Sequence, residues 1–134
     1  LIPNLVEEAL RMEAPVQMLP RFTKDDVEVG GVVIPKGSVV MAMYGCANRD
    51  GAKYPNPDMF DIERDNARTQ LAFGQGPHFC VGAALARSEA RIAFELLLSR
   101  LNNIALANVD TPTHRELSMT LRGLTNLHLT FTPA

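Results

Sequence analysis

Phe73-Gly74-Gln75-Gly76-Pro77-His78-Phe79-Cys80-Val81-Gly82 is the run that decides how this chain reads. A glycine-rich loop leads straight into a helical pattern, with a cysteine at the junction. The positive N-terminal end of a helix and the unpaired N–H groups of its first turn favour a thiolate there. Gly74 and Gly76 let the backbone turn sharply and come close to a flat partner. Gly82 keeps the first helical turn free of side-chain bulk. These are the requirements for presenting one sulfur to a metal at the face of a large planar cofactor.

Downstream, the pattern predicts the strongest helix of the chain, from near Cys80 to about Leu101. Val81, Leu85, Ile92, Phe94, Leu97 and Leu101 mark its apolar side, and Arg87, Arg91 and Glu95 a polar stripe at i, i+4 spacing. Asn102-Asn103 reads as its stop. The tail reads as a hairpin: Leu117, Met119 and Leu121, a turn at Gly123, then Leu127, Leu129 and Phe131. Upstream, residues 45–71 hold Pro55 and Pro57 and no period, with Tyr54, Met59, Phe60 and Ile62 as anchors. Val39 to Tyr44 reads as a buried strand. Val27, Val29 and the run Val32-Val33-Ile34 flank a turn at Gly30-Gly31, and Pro35-Lys36-Gly37 is a second turn. A first helix opens at Pro3 and runs through Leu5, Val6, Ala9, Leu10 and Met12 until Pro15 ends it near Glu13. Cys46 reads as a small buried structural residue.

The 134 residues fit one ordinary domain. Thirteen Lys and Arg against fifteen Asp and Glu give a net charge of −2, which argues against a nucleic-acid binder. Composition is globular, with 46% hydrophobic and 21% charged residues. No apolar run approaches the roughly 20 residues of a membrane span. Two cysteines make no disulfide scaffold and suit a reducing compartment. The first residues lack the basic start and apolar stretch of a signal peptide. They also lack a starting Met and open directly into a helix, so the chain is expected to be cut from something longer.

Residues 73–82 resemble the haem-binding signature of the cytochromes P-450, Phe-Gly-x-Gly-x-His-x-Cys-x-Gly, at all six fixed positions. Glu8-Ala9-Leu10-Arg11 is similar to the family's Glu-x-x-Arg helix. Residues 31–37, Asn48-Arg49-Asp50 and residues 85–90 look like segments of soluble bacterial members. The resemblance runs from Leu1 to near Phe131 and implies a mainly α fold with small antiparallel sheets. It makes residues 1–134 the C-terminal haem-binding portion of a single cytochrome P-450 domain, without the N-terminal portion and the central oxygen-activating helix.

The resemblance implies a cytoplasmic haem-thiolate monooxygenase. It would insert one atom of dioxygen into a small organic substrate, with electrons from a ferredoxin or flavodoxin. Cys80 would be the axial ligand of haem b (iron protoporphyrin IX). Phe73, Gly74, Gly76 and Gly82 would form its loop, and His78 and Arg21 would meet the propionates. Glu8 and Arg11 would be structural. Val16, Gln17, Met18 and Leu121 would line part of the substrate pocket. Arg87 and Arg91 would contact the electron donor. One departure stands out. The Glu-x-x-Arg pair usually joins a basic residue in a Pro-x-x-Phe segment, which here reads Pro57-Asp58-Met59-Phe60. Arg49 and Arg64 are the alternatives for the missing charge.

Other classes fare worse. A phosphate-binding loop would need a Gly-Lys-Ser/Thr ending or a third glycine at dinucleotide spacing. A zinc site would need four ligands at short spacing, and Cys46, His78, Cys80, His114 and His128 offer no such cluster. The remaining alternative is an inactive truncated or cleaved fragment of the same enzyme. An apolar helix face without its neighbours predicts that residues 1–134 alone are poorly soluble or molten.

Overall fold

A computed structural model of the chain describes residues 1–107 and 118–134. Leu117 of the expected tail hairpin and His114 lie outside the described residues. Helix α1 spans Ile2–Met12, with Pro3 in its first turn, and closes where the Glu13 amide donates to Ala9 O at 2.9 Å. Both ends fall where Pro3 and Pro15 put them. The face it buries is less expected: Val6, Glu7, Glu8 and Arg11. Charged groups can be buried like this only when paired and hydrogen-bonded, and these are.

Strand β1, Met18–Phe22, pairs antiparallel with β4, Val39–Met43, placing Met18 opposite Met43 and Arg21 opposite Val40. The sequence gives little sign of β1 because Pro20 interrupts it. Each strand of a two-stranded sheet has an open edge, where proline is tolerated. Between them, β2 (Val27–Val29) and β3 (Val32–Ile34) form a hairpin. Gly30 and Gly31 turn it with φ of +59° and +80°, the left-handed pair that a tight hairpin needs. β4 is not the buried strand expected, since among the described residues only β1 pairs with it and Val39, Met41 and Met43 are exposed. Tyr44 belongs to the short helix α2, Tyr44–Ala47, and is buried there. Cys46 on that helix is exposed, contrary to the buried role expected of it.

In residues 45–71, Tyr54 is buried as expected, but Met59 and Phe60 are about half exposed. Ala67, on a 3-10 turn over Ala67–Thr69, and the polar Asn48, Arg64 and Gln70 are the buried residues instead. Helix α3 spans Ala83–Arg100, starting just after Gly82. Val81, Leu85, Ile92 and Leu97 of its expected apolar side face outward and are exposed. Ala86, Ala90 and Phe94 share a cavity with Val6, Ala9 and Leu10 of α1, and Arg87 reaches Glu7 on the same helix.

The chain does not stop at Asn102-Asn103. It continues from α3 as β5, Leu101–Leu106, with Asn103 at φ +54° and a bulge between Asn102 and Ala105. β5 pairs antiparallel with β6, Leu129–Pro133. The second half of the expected hairpin therefore pairs with β5, while Leu121 bridges back to Val16. Among the described residues no helix is long and apolar enough to cross a membrane.

Candidate functional site

The cysteine loop is built by its glycines. Gly74 and Gly76 sit at φ of +71° and +76°, a region that side chains rarely adopt. A 3-10 turn over Gly76–His78 follows, and the Phe79 amide closes it onto Gly76 O at 3.0 Å. The Cys80 amide donates to Phe73 O at 2.9 Å, so the two ends of the loop are fastened together. Phe73 and Phe79 meet edge to face, with ring centroids 6.4 Å apart. Cys80 emerges exposed at the start of α3. Gly82 caps that helix without a side-chain hydrogen bond, and the Ala83 amide donates to Cys80 O at 3.2 Å. A Cβ at Gly82 would sit 3.8 Å from Cys80 Sγ.

Two cavities meet at Cys80. One, of about 680 Å³, has Val16, Arg21, Lys24, Tyr44, Phe73 and His78 on its walls. The other, of about 450 Å³, is walled by Val6, Leu10, Phe73, Ala86, Ala90 and Phe94. Both lie in the range of small-molecule and cofactor sites. Arg21 reaches its cavity from β1 and donates to the Tyr44 hydroxyl at 2.8 Å, which fixes its direction. His78 arrives on the same cavity from the 3-10 turn. Sequence reasoning missed Tyr44 and Lys24; Tyr44 follows β4, whose pairing with β1 brings it to Arg21, and Lys24 lies two residues beyond β1 on the same cavity.

Val16, Gln17, Met18 and Leu121 come together. Val16 bridges Leu121, and the Gln17 amide donates to Thr120 O at 2.8 Å. Val16 lines both cavities. The Gln17 side chain is turned back to Ala14 O.

A buried ion network joins α1 to the irregular segment. Arg11 holds both oxygens of Glu8, at 2.7 and 2.8 Å, and both side chains are fully buried. The remaining Arg11 donors go to the carbonyls of Asn48, Pro57 and Met59. Glu8 also accepts from the Asp61 amide at 2.9 Å and from Arg64 at 3.1 Å. Burial, the largest influence, pushes the Glu8 carboxyl up. The hydrogen bonds from Arg11, the Asp61 amide and Arg64 outweigh it together and hold the group below the usual carboxylate range. Arg64 fills the position left open by Met59. Its other donors go to the carbonyls of Pro55, Asn56 and Met59. Arg49 instead pairs with Asp58 at 2.6 Å on the outside.

A second buried carboxylate lies next to the first. Glu7 takes two hydrogen bonds from Arg87, at 2.5 and 3.1 Å, and one from Gln70 at 3.0 Å. The Arg87 guanidinium lies over the Phe73 ring, 4.7 Å from its centroid. Arg91, half exposed, stands 3.7 Å from Glu95.

The donor set fits a planar, carboxylate-bearing cofactor with a metal at its centre. One thiol is presented on apolar walls, and Arg21, Lys24 and His78 line the same cavity. The sequence profile of the family described as cytochrome P-450 matches residues 1–131. The chain is 43% identical to 6-deoxyerythronolide B hydroxylase of Saccharopolyspora erythraea, over 94% of this chain and 31% of that protein. It is 45% identical to vitamin D(3) 25-hydroxylase of Pseudonocardia autotrophica, over 99% of this chain and 33% of that protein. It superposes on the solved structure of cytochrome P-450 CYP109Q5 from Chondromyces apiculatus with a TM-score of 0.91 at 44% identity, covering 99% of this chain and 34% of that one. The chain thus spans about a third of the length of the relatives it matches.

Proposed function

The chain belongs to the cytochrome P-450 family, and we propose that the protein it forms part of is a cytoplasmic haem-thiolate monooxygenase. The observation that carries this reading is the exposed Cys80, shared by two cavities, one of which also holds Arg21 and His78. Cys80 is assigned as the axial ligand of haem b. When bound there, the cofactor supplies dioxygen activation, which thiolate ligation favours by assisting O–O cleavage.

The chain's own residues do the holding. Arg21 is directed by Tyr44 and pairs with a propionate through its planar fork. His78 and Lys24 supply further donors on the same cavity. Phe73 fastens the cysteine loop through its carbonyl and lines both cavities beside Cys80. Val16, with Gln17, Met18 and Leu121 beside it, forms a wall of the substrate pocket. A small organic molecule and dioxygen are the substrates. A ferredoxin or flavodoxin is the electron donor. Arg91 is the contact assigned to that acidic partner, because it is half exposed and only loosely paired. Arg87 is the weaker choice, since its charge is already met by Glu7.

Catalysis is assigned to the longer polypeptide. Leu85, Ile92 and Leu97 on α3, with Val81 just before it, are exposed apolar residues, which suits packing against further structure. The test is mass spectrometry of products formed under ¹⁸O-labelled dioxygen, from a panel of small apolar compounds with a ferredoxin and its reductase. The reading predicts one labelled oxygen atom per product molecule. Products carrying oxygen from water alone would overturn it.

A further inference from the structure

We propose that Glu7 is a positioning residue for the cysteine loop, acting through Arg87 and Gln70. The inference rests on the reading of Cys80 as the haem ligand. Glu7 is buried, lies one residue before the Glu-x-x-Arg pair, and forms no part of the Glu8 network.

Its carboxylate grips the entrance of the loop by two routes. Through the first, Gln70 Nε2 donates to Glu7 at 3.0 Å while Gln70 Oε1 accepts the Ala72 amide at 2.6 Å. That fixes the backbone one residue before Phe73. Through the second, Arg87 gives Glu7 two hydrogen bonds and lays its guanidinium on the Phe73 ring. That fixes the ring. The Phe73 carbonyl then takes the Cys80 amide at 2.9 Å. The backbone at Ala72 and the ring of Phe73 are thus both held from Glu7, and Phe73 in turn holds the cysteine.

A surface ion pair would do little of this, because exposed side chains trade the contact for water at small cost. The Glu7 side chain is 9% exposed and that of Arg87 26%. Arginine also suits the place for a chemical reason. Only a flat guanidinium can hold two carboxylate oxygens along one edge and cover an aromatic ring with its face. The arrangement further ties α1 to α3 across the loop, so the start of α3 cannot shift without moving the sulfur.

The test compares Glu7→Gln, Arg87→Leu and the double variant with the unaltered protein, each haem-loaded. Three readings are taken: the Soret band of the ferrous carbon monoxide form, the ferric–ferrous potential, and amide hydrogen exchange of residues 73–82. Each single variant should lose the thiolate-type band several-fold faster, shift the potential, and exchange residues 73–82 several-fold faster than α1. The double variant should lose less than the two single losses added together, because the two residues are coupled through their ion pair. Arg87→Lys should not restore the band. Variants that melt earlier yet keep the band, the potential and the protection of residues 73–82 would overturn the proposal and leave Glu7 a stabilising residue. If a variant takes up no haem, exchange in the haem-free proteins decides, and unchanged protection of the loop overturns it equally. Absence of a thiolate-type band in the unaltered protein would instead overturn the assignment of Cys80.

Discussion

The Arg64 guanidinium donates to Glu8 Oε1 at 3.1 Å across a separation of 56 residues. Both side chains are buried. This one contact joins the irregular segment to α1 and takes the place of the basic residue missing at Met59. It is also backed by chain geometry: the carbonyls of Pro55, Asn56 and Met59 all accept from the same guanidinium.

Arg64→Leu should therefore destabilise the protein and lower its haem content. Breaking one charged hydrogen bond to a buried carboxylate costs about 1.5–3 kcal/mol. Arg11→Ala should cost more, roughly 3–5 kcal/mol, because it leaves Glu8 with its main partner removed. Denaturant titration of the two variants checks the order, and Arg64→Leu matching the unaltered protein would place Arg64 outside the network.

Acid should weaken the same network. The folded-state pKa of Glu8 is lowered, so its contribution is complete above the ordinary carboxylate value of about 4.3 and is lost as pH falls through the lower folded value. Unfolding midpoints measured between about pH 6 and pH 3 should fall more steeply for the unaltered protein than for Glu8→Gln, which has no such proton to take up. Parallel slopes would contradict the assignment.

What could be read in advance, and what could not, divides along physical lines. The cysteine loop and the Glu8–Arg11 pair were legible because each lies within one short run. Arg64 could be named only as one of two alternatives, and Glu7 not at all, because their partners come from 56 and 80 residues away. No local pattern encodes such distances. β1 was hidden by Pro20, and the pairing of β6 with β5 by two asparagines that look like a helix stop. α3 was readable as a helix. So was an apolar side without its neighbours, since Leu85, Ile92 and Leu97 are exposed.

Arg21→Ala and His78→Ala should each weaken haem retention and leave the axial ligand unchanged. Each removes a charge-assisted contact worth roughly 1.5–3 kcal/mol. Transfer of haem to an acceptor protein measures this as a faster release rate. Tyr44→Phe should reproduce part of the Arg21 effect, because it frees the guanidinium that the hydroxyl directs. Unchanged release from the Arg21→Ala, His78→Ala double variant would return both residues to the solvated surface.

Arg91→Glu should slow reduction by a ferredoxin and make the step less sensitive to salt. A charge reversed at the rim of an interface acts mainly on association rate. Stopped-flow reduction at low ionic strength is the measurement, and an unaltered rate would exclude Arg91 from the contact.

The central claim is that Cys80 is the ligand, and the most direct measurement is the absorbance of the dithionite-reduced, carbon-monoxide-bound protein in three forms. The unaltered protein and Cys46→Ala should show the red-shifted Soret band of thiolate ligation, since exposed Cys46 lies on α2 and outside both cavities. Cys80→Ala should lose that band. A band that survives in Cys80→Ala, or disappears in Cys46→Ala, would contradict the account.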